Sequence, residues 1–98
     1  MSLPVQFLDV AAAEYRDAID YYNAEVLGLG NDFREEVASA LRRIVDYPDA
    51  WQKLSARARR CRLNRFPYGL VYQKRPECIL VVAVMHLKRE LGYWTPRE

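Results

Sequence analysis

The sequence predicts an α+β fold: an N-terminal edge strand, an antiparallel two-helix hairpin, and a small antiparallel β-sheet on which the hairpin packs. Two observations carry that prediction. Residues 9–46 hold two apolar stripes at helical spacing, parted by Gly28-Leu29-Gly30, and residues 59–85 hold three strand-like runs parted by short, proline-bearing turns. The chain has 98 residues, 51% hydrophobic and 29% charged, which suits one core, so residues 1–98 read as a single domain.

Each element follows from local chemistry. Leu3, Val5 and Phe7 alternate with Pro4 and Gln6, a strand whose early proline suits an edge. Asp9 can cap a helix running to about Val26, with Ala11, Tyr15, Ala18, Ile19 and Tyr22 on its buried stripe and Glu14, Arg16, Asp17 and Asp20 mostly outside. Asp32-Phe33-Arg34-Glu35 has the spacing of a capping box and opens a second helix, whose stripe is Phe33, Val37, Ala40, Leu41 and Ile44. Pro48 stops that helix near Asp46 or Tyr47, because the residue before a proline avoids helical backbone. After a basic connection come strands over residues 59–65, 69–74 and 78–85, joined as a meander through Phe66-Pro67-Tyr68 and Arg75-Pro76-Glu77. The run Ile79–Val84 is apolar at every position and must be central. Cys61 and Leu63 face the helices, while Arg60, Arg62 and Asn64 face outward. One sheet face is thus expected under the helices and the other basic.

Several classes are excluded. The longest apolar run has eight residues, too few for the roughly 20 that cross a bilayer, and the N-terminus lacks the basic n-region of a secretion signal. The expected compartment is the cytoplasm. Two cysteines without CxxC spacing and a lone histidine make neither a disulfide framework nor a zinc site, so both thiols read as reduced and buried and no metal or cofactor is expected. Walker loops, dinucleotide motifs, paired carboxylates and Ser/His/Asp arrangements do not occur.

The net charge of +2 conceals a polarity: residues 1–50 carry −6 and residues 51–98 carry +8. Fields act over about one Debye length, roughly 8 Å at physiological salt, so the C-terminal half can present a positive face. From Lys53 to Arg65 there are six basic residues and no acid. Arginines alternating along a strand recur about every 7 Å, near the phosphate spacing of a nucleic acid strand. Lys53, Arg57, Arg59 and Arg60 are therefore candidate contacts to nucleic acid or an acidic protein segment. His86 ends the apolar strand beside Lys88 and Arg89 and is a candidate proton carrier in phosphodiester cleavage. A metal-free nuclease would need a second carrier. Tyr93 is the candidate, although an ordinary tyrosine pKa near 10 makes it a poor base unless arginines lower it. Arg62, Arg65 and Arg89 would stabilise the pentavalent phosphate. Trp94 either stacks on a base or covers an edge of the core.

The order and spacing of several pieces resemble the RelE/ParE toxins of type II toxin–antitoxin modules, also called plasmid stabilisation system proteins. The pieces are Ala18-Ile19-Asp20-Tyr21-Tyr22, Gly28-Leu29-Gly30 with Phe33, Arg62-Leu63-Asn64-Arg65-Phe66-Pro67-Tyr68-Gly69-Leu70-Val71-Tyr72, the run Ile79–His86, and Arg89 with Tyr93-Trp94. Relatives commonly carry a proline where this chain has Leu91-Gly92. The resemblance implies the fold described above and a cognate antitoxin that wraps the basic surface in a hetero-oligomer. It implies one of two activities. RelE-like members cut mRNA in the ribosomal A site without a metal, and on that pattern Arg62, Arg65, His86, Arg89 and Tyr93 would be catalytic; this reading is slightly preferred. ParE-like members bind and poison DNA gyrase without catalysing a reaction. An inactive, antitoxin-binding member is a further alternative.

Overall fold

Strand β1 (Val5–Phe7) leads straight into helix α1 (Asp9–Glu25), and helix α2 (Leu29–Asp46) follows after a three-residue turn. The chain then forms β2 (Gln52–Lys53), β3 (Arg59–Arg62), β4 (Tyr68–Lys74), β5 (Ile79–His86) and a short 3-10 turn over Thr95–Arg97. These elements come from a computed structural model that describes residues 3–98. The sheet order is β1-β5-β4-β3-β2. The apolar strand β5 is interior, paired on both sides with β1 and β4 as its sequence requires, while β4 is the middle strand.

Four details differ from the sequence reading. Strand β1 lies at the edge as expected, but it runs parallel to β5, pairing Val5 with Ile79 and Phe7 with Val81, so the sheet is mixed. Leu8, not Asp9, occupies the cap position of α1, and Asp9 sits in the first turn, where the helix dipole favours a carboxylate. Helix α2 starts three residues before the capping box. Gly28 makes the reversal with φ +87°, a conformation that costs glycine little, and the Asn23 side chain of α1 accepts the Gly30 N–H at 2.8 Å. A helix start usually needs its own cap, and here the preceding helix supplies it.

The fourth difference concerns the connection before β3 and the outer sheet face. Gln52 and Lys53 pair with Arg60 and Arg59, adding a strand where only a basic connection is legible. Strand β3 stops at Arg62: the Leu63 N–H still reaches the Tyr68 carbonyl at the start of β4, but those of Asn64 and Arg65 turn away to the Glu36 carboxylate. The face away from the helices is not a bare basic surface. Ala58, Val71, Val82, Ala83 and Met85 form a second core there, closed by Trp94 from the tail. A bulge opposite Val71 and Tyr72 pairs them with Ala83 and Val81, which leaves Val82 extra. Val82 and Ala83 therefore both serve the second core, while Val81 and Val84 serve the helix-side core.

The helix-side core matches the predicted stripes: Ala11, Ala18, Ile19, Phe33, Val37 and Ile44 pack on Leu70, Tyr72 and Val81. Tyr22 joins it edge-on to Phe66 at 4.8 Å between ring centroids. Both cysteines are buried and free.

Candidate functional site

Glu14 organises the region around the predicted catalytic residues, although its sequence context placed it mostly outside. Its Oε1 accepts the Val84 N–H at 3.1 Å and an Arg97 Nη1–H at 2.8 Å, and its Oε2 accepts from Tyr93 Oη at 2.9 Å and Arg97 Nη2 at 3.0 Å. Arg89 Nη1 lies 3.8 Å from the same carboxylate. Strand β1 ends opposite Val81, so beyond that point β5 has no strand neighbour on this side among the described residues. Glu14 takes the Val84 N–H there, and Arg97 Nη1 donates to the Val82 carbonyl at 3.0 Å. An ion pair thus substitutes for the missing strand and ties the tail to α1. A signal for this existed: Glu14 follows Ala11 by three residues and precedes Ala18 by four, on the buried side of α1.

Tyr93 does not meet the requirement for a base. Burial raises its pKa, the Glu14 carboxylate raises it further, and Arg97 and Arg89 only partly oppose them. Its hydroxyl is a donor held on a carboxylate, and the Arg89 guanidinium lies 3.7 Å over its ring. The expectation that arginines lower this phenol is corrected: desolvation and the nearby anion outweigh them.

His86 ends β5 half-buried, its ring edge-on to Tyr68 at 5.0 Å. Its Nδ1 accepts the Lys88 N–H at 3.0 Å, so the neutral ring is assigned its proton on Nε2. With Arg89, Tyr21, Asp17 and Tyr68 it lines a shallow groove of about 270 Å³ beside α1.

Arg62 and Arg65 are not gathered there with Arg89. Arg62 is exposed and pairs with Gly69. Its neighbours Cys61 and Leu63 face the helix-side core, so alternation puts Arg62 on the opposite face from the His86 groove. Arg65 sits in the loop after β3, with Nε 3.6 Å from Glu36. Of the five candidate catalytic residues, the structure brings His86, Arg89 and Tyr93 near one another and leaves Arg62 and Arg65 elsewhere.

The basic candidates divide as well. Lys53 and Arg57 are exposed, while Arg59 is half-buried and donates to the Trp51 carbonyl at 2.9 Å. Arg60 keeps to the outer face, opposite Val71 of the second core, but is not free there: it is 8% exposed, and its Nη2 donates to Gln52 at 2.9 Å. Its stem lies so close over Gly69 that a Cβ there would meet Arg60 Cγ and Cδ at 2.9 Å. Burial, with Arg62 adding to it, lowers the Arg60 pKa. Trp94 is 2% exposed in the second core, which removes it as a base-stacking platform and leaves the core-covering alternative. No cluster of His, Cys, Asp or Glu suited to a metal occurs among the described residues, and no helix there is long and apolar enough to cross a membrane.

Comparison with known proteins adds two findings. A family profile described as "ParE toxin of type II toxin-antitoxin system, parDE" matches residues 5–91. A solved structure described as "Chromosomal ParDE TA system from P. aeruginosa" is similar with a TM-score of 0.75 at 13% identity, over 88% of this chain and 97% of that one. At that identity the likeness is one of fold. No curated protein matches the sequence significantly.

Proposed function

The chain belongs to the ParE toxin family of type II toxin–antitoxin systems, and from that premise we propose that it is a binding toxin that grips DNA gyrase and catalyses nothing itself. A cognate antitoxin holds it inactive in a hetero-oligomer. The observation that carries this reading is the commitment of Tyr93 to Glu14, with Arg62 on the far face of the sheet. Cleavage of mRNA by a metal-free site requires two proton carriers and several cations around one phosphate. Of the five candidates only His86 and Arg89 line the groove, and Arg89 is already drawn to Glu14 at 3.8 Å. A binding toxin needs no proton transfer. It needs accessible contact groups, and Leu27, 97% exposed at the tip of the helix hairpin beside exposed Val26, is suited to an apolar pocket on a target.

The test is to add purified, antitoxin-free protein to gyrase with plasmid DNA, and in parallel to programmed ribosomes. The expected result is inhibited supercoiling with DNA cleaved upon denaturation, intact mRNA, and full toxicity of His86→Ala in cells. Cleavage in the ribosomal A site that falls sharply in His86→Ala, with gyrase unaffected, would replace this reading with the ribonuclease.

A further inference from the structure

We propose that the cationic cleft at the β2–β3 end of the sheet binds the phosphate backbone of duplex DNA. The cleft, about 510 Å³, opens between the loop over residues 54–58 and the turn over residues 75–77. Five cations line it: Lys53, Arg57, Arg59, Lys74 and Arg75. Among the described residues Asp49 is the one acid in its wall, and Lys74 Nζ already lies 3.2 Å from it. Glu98 sits at the rim, where its carboxylate accepts from Ser55 Oγ at 3.2 Å and from Gln73 Nε2 at 3.0 Å. Among the described residues, Lys53, Arg57, Arg59 and Arg75 form no ion pair. Two of these forks are held in place by neutral acceptors. Arg59 bonds the Trp51 carbonyl, and Arg75 bonds Gln73 Oε1 through Nε and Nη2.

The rest of the lining selects among anions. A docked acidic peptide would need an aromatic or aliphatic anchor, yet the apolar part of the wall is Ala56, Ala58 and Pro76. Single-stranded nucleic acid is gripped by stacking on aromatic rings, and this cleft has none. Duplex RNA is distinguished through its 2′-hydroxyls, while Ser55 and Gln73, the neutral polar side chains here, are both engaged with Glu98. Phosphates of duplex DNA ask for cations alone and give sequence-neutral binding. The cleft adjoins the Lys74 end of β4, whereas His86 pairs with Tyr68 at the other end, roughly 20 Å away at about 3.3 Å per residue. One end of the molecule can therefore hold DNA while the other meets a protein, but the DNA contact does not depend on the gyrase reading.

Fluorescence anisotropy of a short, mixed-sequence duplex with the protein alone, across a salt series, tests this. Four phosphate contacts give a slope of log K against log salt of about −3.6, a loss of roughly 150-fold between about 50 and 200 mM salt. Lys53→Gln/Arg57→Gln should halve the slope to about −1.8, while Arg16→Gln/Arg34→Gln on the helices, with the same change in net charge, should leave it unchanged. Absence of duplex binding at low salt, or equal slopes in the two double variants, would overturn the proposal. So would tighter binding of duplex RNA of the same sequence, or displacement by polyglutamate more readily than by unlabelled duplex.

Discussion

Replacing Glu14 with alanine tests whether one carboxylate holds the tail against the sheet. The Glu14 and Arg97 side chains are 16% and 17% exposed, closer to a buried pair than to a surface one. Breaking a buried pair costs about 3–5 kcal/mol and a surface pair about 0–1 kcal/mol. Alanine also removes the acceptor for the Val84 N–H and the Tyr93 hydroxyl, worth about 1–3 kcal/mol each if left dry. The adjoining groove admits water, which can satisfy both freed donors and cancel most of that loss, so the expected destabilisation is that of the pair at the low end of its range, about 3 kcal/mol. For a domain of this size it corresponds to a fall in Tm of roughly 12–24 °C. Urea unfolding followed by circular dichroism measures the free energy, and the emission of Trp94 in a Trp51→Phe background reports whether the tail leaves the second core first. Asp17→Ala, an exposed carboxylate three residues along the same helix, should change stability by less than about 0.5 kcal/mol. A double-mutant cycle with Arg97→Ala should show coupling above about 1 kcal/mol. If Glu14→Ala is no worse than Asp17→Ala, the network contributes nothing and the account of β5's completed edge is wrong.

Alkaline unfolding should be steeper than in a chain with ordinary tyrosines. Burial pushes Tyr72 up to about 12, where its hydroxyl also donates to the Pro48 carbonyl, and burial pushes Tyr93 up as well. The folded state keeps these protons after the unfolded chain has lost them, so stability is full below pH 10 and falls by about 1.4 kcal/mol per unit for each group above it; urea midpoints for Tyr72→Phe between pH 9 and 11 should show a shallower decline. Acid should act in the opposite sense through Glu36. Burial alone would raise its pKa, but the Arg65 and Asn64 N–H groups and the Arg65 guanidinium outweigh it and lower the pKa, so its contribution is lost as pH falls through the folded value. Glu36→Gln should therefore flatten the acid limb of the stability curve, and an unchanged limb would contradict the assignment. Gly28→Ala should cost about 1–2 kcal/mol in thermal unfolding, because φ +87° is strained for any side chain although the space around it is open.

Much of the fold was legible because its signals are local. The stripe through Ala11, Ala18 and Ile19, the stop at Pro48, and the unbroken apolar run of β5 each reflect a periodicity or a backbone restriction carried by a few neighbouring residues. Local patterns of this kind determined both helices, the interior place of β5 and, through the alternation of Leu3, Val5 and Phe7, the edge strand. The distribution of Asp, Glu, Lys and Arg along the chain determined which half carries the positive charge.

Partnership across the fold is not local, and the tertiary structure alone decided it. Glu14 could be read as a solvated acid until α1 was laid beside the open edge of β5. Tyr93 stood as a base until burial and that carboxylate raised its pKa. Trp94 fitted a stacking platform equally well until a second core was found on the outer face, and Arg60 read as a free cation on that face until Gly69 left room for its stem to lie flat and buried. The parallel pairing of β1 and the two-residue β2 belong here too, since a short strand exists only through the neighbour that bonds it. A side chain's periodicity comes from its own segment, but its pKa and its role come from whichever groups the fold brings within a few ångströms, and those are set by long-range packing.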